Sequence, residues 1–533
     1  MRIATYKSKL LSGVHLLKNK ETIVPMLVFL FGLWYFCLRI LGTNLEYIPG
    51  DMGDSRFINF LLENGHQWMI GNTNGFWDAN FMFPFENTIA ISDNMIGTMP
   101  IYSFWRMSGF SYETSYQLWW IVICSLNFWS TFFVVKKWFK RWDLAIITAW
   151  IFAFTIFNFG QLGYMQMIIR FCVPIVFYAG TMLVDTKKTK YLALLSFGIV
   201  FQFYCVIYTG FFLMYFSIFF IFLYALIKKE PLFFLLLFRK EEILKILLII
   251  GVSITAMLWL FLPYLSMSEI VGFKYYHEAE GMLPTLKSYL FPNEATQVWM
   301  FLHNNSRPSS VFFWLHYNFM GLIPTLGLIS FPILWLFWWI KKKTVSKLTW
   351  SITVATFIIF LFFFKTESGA SLYHFIFKLP GMNSIRVMNR FIHVTLFMIL
   401  IGIIQLLRKT PRKWSYLFFL LVFFDNSFVP QKMIRQKKQD IAARRSEVIN
   451  LIRNSVNEGD IAFALIDNSE SFFVTHIDAM QAALELQVPT LNGYSSAGPL
   501  EHSDFFRNAN KEGLERWLKH NNIKEKDISI IYR

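Results

Sequence analysis

The chain has 533 residues, 55% of them hydrophobic and 19% aromatic. This is far more apolar than a soluble domain, and the excess comes in blocks long enough to cross a bilayer as helix, which excludes both a soluble globular enzyme and a β-barrel of short alternating strands. The net charge of +16 is no sign of a nucleic-acid partner: basic and acidic residues balance over 431–533, so the whole excess lies in the apolar part, in short loops between spans.

The chain opens on a basic stretch, Arg2, Lys7, Lys9, Lys18 and Lys20, followed by the first apolar block at 24–42. That block has near-spanning length and no small-residue cleavage site after it, so it reads as a retained span rather than a removed signal. Next comes a polar stretch with no apolar reason to be there: Gly50-Asp51-Met52-Gly53-Asp54-Ser55-Arg56, then His66, Asp78 and Asp93. Phe57, Phe60, Leu61, Leu62 and Trp68, opposed by Arg56, Asn59, Glu63 and Gln67, have helical spacing with one apolar face. The spacing predicts a helix in the headgroup layer, with Asp54 as its cap. Asp78, within Trp77-Asp78-Ala79-Asn80, reads as a turn former.

Ten more apolar blocks follow at 114–135, 142–158, 168–184, 191–206, 210–227, 246–265, 319–340, 348–364, 391–407 and 414–428, giving about eleven predicted spans. The last is the shortest and carries Asp425. Pro231–Phe238 is apolar but too short to cross and is expected to lie at the cytoplasmic interface. Placing the N-terminus in the cytoplasm puts Lys136-Lys137, Lys187-Lys188, Lys228-Lys229, Lys341-Lys342-Lys343 and Arg408-Lys409 on that same side. The long segments 43–113, 266–318 and 365–388 then fall outside, with the C-terminal residues. Cys37, Cys124, Cys172 and Cys205 all sit within spans, as small apolar residues without metal or disulfide spacing.

Residues 429–533 have ordinary composition. Ile461–Ile466 reads as a strand, His476–Leu486 as a helix, 489–499 as a turn-rich segment, 510–520 as a second helix and Ile528–Tyr532 as a strand. The expectation is a helical polytopic membrane domain, 1–428, followed by a small extracytoplasmic α/β domain.

Several short motifs, in their order, resemble the GT-C superfamily of integral membrane glycosyltransferases. They are Gly53-Asp54 with His66, Phe81-Met82-Phe83-Pro84 leading to Ser92-Asp93, Gln161-Leu162-Gly163-Tyr164-Met165-Gln166, Tyr289-Leu290-Phe291-Pro292, Ile385-Arg386-Val387 with Arg390-Phe391, and Asn492-Gly493-Tyr494-Ser495. Tyr164 stands where His is common and Ser496 where Gly is usual. The resemblance implies an inverting transferase in a bacterial cytoplasmic membrane, with a polyprenyl-phosphate sugar as donor and a glycan, lipid or protein as acceptor.

Such chemistry needs a base for the acceptor hydroxyl and cations for the departing lipid phosphate. Asp54 is the first candidate base, with Asp51 as an alternative and Asp93 as a second acid that orients acceptor or metal. Each also has a bland reading as a cap or turn residue. His66 and Gln166 are candidate substrate contacts, His66 equally a satisfied interfacial histidine. Arg386 and Arg390, four apart at the start of a span, are expected on one helix face as phosphate ligands, joined by Arg170; the bland alternative is snorkelling. No cofactor is expected and no obligatory metal, although Asp54 and Asp93 could give two oxygens to a divalent ion. Two other classes compete: a transporter or flippase of lipid-linked sugars, which would gather ionisable groups within the spans, and a catalytically silent scaffold.

Overall fold

The structure is a computed structural model and describes residues 20–533 except 74, 234–239, 311, 468, 496, 497, 500 and 501. The basic stretch before Lys20, most of Pro231–Phe238 and the Ser496 departure therefore lie outside the described residues. Long apolar runs form helix because a helix satisfies its own backbone polar groups without water. The helices are α1 (Lys20–Leu41), α2 (Asp54–Met69), α3 (Met99–Met107), α4 (Tyr112–Phe139), α5 (Trp142–Phe154), α6 (Cys172–Thr186), α7 (Thr189–Cys205) and α8 (Ile207–Lys228). They continue as α9 (Ile243–Val271), α10 (Leu322–Ile340), α11 (Lys347–Phe362), α12 (Ile392–Leu407), α13 (Arg412–Asp425), α14 (Lys438–Ser455), α15 (Phe472–Leu486) and α16 (Lys511–His520).

Among the described residues, seven helical stretches are long and apolar enough to cross a membrane: α1, α4, Met165–Thr186, α8, α9, α10 and Met388–Leu407. Helices α5, α7 and α11 are apolar but shorter, and α13 has 14 residues. These are the proportions of a polytopic helical membrane protein. Helix α4 packs on α5, α6 on α7, and α8 on α7, α11 and α12. The acid in the last apolar block has a structural use: Asp425 accepts the N–H of Leu322 at 2.8 Å and so caps α10, and it also takes the Trp299 indole N–H at 2.9 Å.

Between α5 and α6 the backbone leaves the helix and makes two 3₁₀ turns, Ile156–Gln161 and Met165–Ile168. Side chains take up the freed carbonyls. Asn127 donates to Ile168 O at 2.8 Å and Gln202 to Ile169 O at 2.9 Å. This polar bracing fixes an irregular segment that would otherwise leave backbone groups unpaired in an apolar interior.

The long loops and the C-terminal segment gather at one end. Strand β1 (Tyr47–Pro49) pairs antiparallel with β2 (Arg435–Lys437). Strand β3 (Ala462–Ile466) pairs in parallel with β4 (Ile528–Tyr532). Thr490 then bridges to Phe463, and the irregular Phe81-Met82-Phe83 segment, with Met82 at φ +54°, is hydrogen-bonded alongside: Met82 N donates to Asn492 O at 2.9 Å and Phe83 N to Thr490 O at 3.0 Å. The first long loop is thus built into the C-terminal segment through its backbone. The second joins it too, with Gln297 N donating to Ser427 O and Val429 N to Ala295 O. The two strands and the second helix of the C-terminal segment form where the sequence placed them, α15 starts four residues earlier than expected, and α14 and a short helix, Ser503–Asn508, are additional. Asp78 closes no local turn; its carboxylate instead accepts Asn87 N at 2.7 Å, nine residues further on, and so ties two parts of the first long loop together.

Helix α2 forms as its periodicity requires, but its polar side is not exposed. Every residue from Ser55 to His66 is buried. Arg56 pairs with Asp478 of α15 at 2.6 Å, and Glu63 accepts from Tyr102 at 2.6 Å and from Arg106 at 2.8 Å. The expected headgroup-layer helix is therefore a buried strut, because its charged stripe meets complementary charges on α3 and α15 rather than water.

Candidate active site

The turn that enters α2 sorts two neighbouring acids into different jobs. Gly50 has φ +105° and its α-carbon lies against Ser55, where a Cβ would collide with the hydroxyl. The chain then reverses so that Asp51 Oδ1 accepts the N–H of Ser55 at 3.1 Å and of Gly53 at 3.2 Å, while Asp51 N donates to Ser55 Oγ at 2.8 Å. Asp51 is the cap of α2. The expectation that Asp54 caps the helix is corrected: the helix already begins at Asp54, and its carboxyl makes no cap contact. Asp51 Oδ1 is taken up in the turn by the Gly53 and Ser55 N–H groups, so its carboxyl carries the capping role.

Asp54 is half-buried. Its Oδ1 accepts the Tyr494 hydroxyl at 2.6 Å, a contact made across 440 residues of sequence. Burial pushes the carboxyl up to about 6, Asp51 adds to the rise, and the Tyr494 hydroxyl, Arg390 and Arg386 pull against it. Burial also raises Tyr494 well above the ordinary phenol value, helped by the Asp54 charge, so Tyr494 keeps its proton and is the donor.

Arg390 lies over the rings of Tyr164, 4.9 Å to the centroid, and Tyr208, 4.6 Å. Neither Arg390 nor Arg386 makes an ion pair among the described residues. The two do not share a helix face, which corrects the spacing argument: residues 388–391 form a 3₁₀ turn and α12 starts only at Ile392. They converge instead because Arg386 N donates to the Tyr208 hydroxyl at 3.2 Å. Tyr164 faces the same space. Burial and then Asp54 raise its phenol to about 12, against the charge of Arg390 and the Trp314 indole N–H. Lys274 stands next to Arg386, its ammonium lowered by burial and then by that guanidinium.

Asp93 is buried and accepts Ile207 N at 2.8 Å, capping α8. Burial raises it to about 6, opposed by that N–H, by Arg390 and by the Gln166 side chain. Arg390 thus serves both acids, and Gln166 belongs to the inner wall beside Asp93.

Two expected contacts are elsewhere. His66 lies twelve residues along α2 from Asp54, roughly 18 Å of helix rise, and its Nδ1 pairs with Ser103 Oγ at 2.8 Å. It is a satisfied packing histidine, with burial lowering its pKa. Arg170 is 0% exposed. Its guanidinium donates to Phe152 O and to Asn158 Oδ1, and lies 3.2 Å from His393 Nδ1. It braces the irregular 155–171 segment that carries Tyr164 and Gln166, and it is no phosphate ligand. Arg170→Ala is expected to lower the melting temperature of the purified protein. A carbonyl and an amide left unpaired cost about 3 kcal/mol together, with no specific change in lipid-phosphate affinity.

Sequence reasoning missed Tyr208, Lys274 and Trp314, and it left Tyr494 without a role. Only Tyr494 carried a signal, as a hydroxylated aromatic in a turn between polar residues. Among the described residues, no three His, Cys, Asp or Glu side chains converge as metal ligands. No family model matches the chain, and no curated protein is significantly similar to it.

Proposed function

We propose that this chain is an inverting GT-C-type glycosyltransferase that moves a sugar from a polyprenyl-phosphate donor to a lipid-linked glycan, envelope polymer or protein. On this reading the eleven apolar blocks all cross a bacterial cytoplasmic membrane, the basic loops face the cytoplasm, and the loop end, with the C-terminal segment, lies outside. A lipid must carry the donor there, because nucleotide sugars are cytoplasmic.

One observation carries the proposal: a raised carboxyl, Asp54, held by a phenol beside guanidiniums that make no close ion pair among the described residues. A base with a pKa near 6 is ionised at neutral pH yet basic enough to accept a proton in the transition state. The acceptor oxygen attacks the anomeric carbon opposite the phosphate, its proton passes to Asp54, and the carbon–oxygen bond to phosphate breaks. The phosphate gains charge as it leaves, and Arg390 and Arg386 are the groups to hold it.

The test uses the full-length protein in nanodiscs with undecaprenyl-phosphate hexoses and pentoses supplied one at a time, and measures sugar transfer and the release of undecaprenyl phosphate. Transfer is expected to fall below about pH 6 with a single-proton limb. Arg390→Ala is expected to weaken undecaprenyl phosphate binding about 10- to 100-fold, the range for a lost hydrogen bond to a charged group. Arg390→Lys should recover part of this, as a point charge replaces a planar fork. Unchanged lipid-phosphate binding by Arg390→Ala would remove the cationic half of the proposal.

A further inference from the structure

Building on that transferase reading, we infer that the C-terminal segment completes the active site: Tyr494 is the positioning residue of the base, holding one oxygen of Asp54 and leaving the other for the acceptor. Oδ1 accepts a hydrogen bond from the phenol at 2.6 Å, and Oδ2 has no hydrogen-bond partner among the described residues.

The turn that presents Tyr494 is built for placement. Asn492 is spliced into strand β3, accepting Leu465 N at 2.7 Å and donating to Leu465 O at 2.9 Å. His476 grips the same turn: its Nδ1 accepts from Asn492 Nδ2 at 3.1 Å and from Gly493 N at 3.3 Å. Its Nε2 donates to Phe506 O at 3.0 Å, which assigns the tautomer. Burial holds His476 near 3, so Nδ1 stays an acceptor at any working pH. Gly493 rests on Met82, where a Cβ would not fit, and the Tyr494 ring meets Phe57 edge-on at 5.6 Å. Strand, histidine and first loop therefore all constrain one phenol oxygen. A contact serving only to hold the segment in place has no need to aim that oxygen at a half-buried carboxylate.

The groups facing Asp54 come from each element around it: Asp51 from its own turn, Tyr164 from the 3₁₀ segment, Arg386 and Arg390 from the turn before α12, and Tyr494 from the C-terminal segment. Among the described residues, only Tyr494 is a donor at hydrogen-bond distance to the carboxyl. Removing it strips stabilisation from the carboxylate and raises the midpoint of Asp54, whereas a more acidic phenol lowers it.

The decisive measurement is the pH-dependent infrared difference spectrum of the full-length protein in nanodiscs, with Asp54→Asn subtracted to isolate the Asp54 band. Tyr494→Phe is expected to move the midpoint upward. Installing 3-fluorotyrosine at position 494 keeps the ring and its fit, guards against misfolding of the Phe variant, and is expected to move the midpoint downward. With undecaprenyl-phosphate sugar as donor, Tyr494→Phe should lower kcat about tenfold, leave the donor KM unchanged and shift the acid limb with the infrared midpoint. A midpoint unmoved by both substitutions overturns the inference, even if Asp54→Asn is inactive and the transferase reading stands. Full activity of Asp54→Asn, by contrast, overturns the transferase reading, and the role given to Tyr494 in catalysis with it.

Discussion

Asp54→Asn is expected to abolish sugar transfer while leaving the protein at least as stable as the wild type. The two halves have separate causes. Loss of a general base lowers the rate by about 10²–10⁴, and Asn cannot take the acceptor proton. Stability moves the other way because the folded carboxyl titrates near 6 while an unfolded Asp titrates near 3.8. The fold prefers the protonated form, so this group's contribution is present below about pH 3.8 and is lost as pH rises through 6. At neutral pH the carboxylate is a net burden on the fold. Neutral Asn escapes it, and its amide oxygen still accepts from Tyr494. Initial rates and thermal unfolding on the same nanodisc preparation separate the outcomes. A wild-type rate would dismiss Asp54 as the base, and a sharply lowered melting temperature would mark the carboxylate as structural.

The contrast with Asp51 shows where reading the sequence stops. Asp51 and Asp54 both lie at the start of α2, three residues apart in sequence, both are suited to capping, and no local pattern separates them. The choice is made by the backbone at Gly50 and Gly53, which turns Asp51 toward the free N–H groups and Asp54 away. Arg386 and Arg390 were legible as a pair but for the wrong reason. Their spacing suggests a helix face, whereas a 3₁₀ turn and the Tyr208 hydroxyl bring them to the same place. Arg170 sits at the level a ligand would, but it lies in the irregular backbone before α6, whose path turns its guanidinium onto Phe152 O and Asn158 Oδ1. The apolar blocks needed none of this, because length and hydropathy alone select helix in a nonaqueous solvent. Long-range pairings are the hardest case. The segment Phe81-Met82-Phe83 carries no mark that its backbone partners are Thr490 and Asn492, and a polar stripe such as Arg56, Asn59 and Glu63 has the same pattern whether it meets water or an opposite charge.

That stripe leads to the largest expected stability effect. Asp478 is 2% exposed and accepts from three guanidiniums: Arg56 at 2.6 Å, Arg444 at 2.7 Å and Arg533 at 3.4 Å. Arg56 is itself buried and also donates to Gln481 at 2.9 Å. Burying several charges is favourable only while the set is complete, so whether the assembled network adds net stability is a separate question from what breaking it costs. Removing the shared carboxylate leaves Arg56 charged and unpaired in the interior, and deleting one member of a buried pair costs about 3–5 kcal/mol. Asp478→Ala is therefore expected to release α15 from α2. Because α15 carries His476, the turn bearing Tyr494 should loosen with it. Hydrogen exchange should rise selectively over 472–495 and in the first turns of α2, with the transmembrane helices unaffected, and transfer should fall even though Asp478 touches no substrate. Exchange that stays at the wild-type level across 472–495 would mean that the backbone hydrogen bonds joining β3, Thr490, Asn492 and the Phe81-Met82-Phe83 segment hold this region without the ion network.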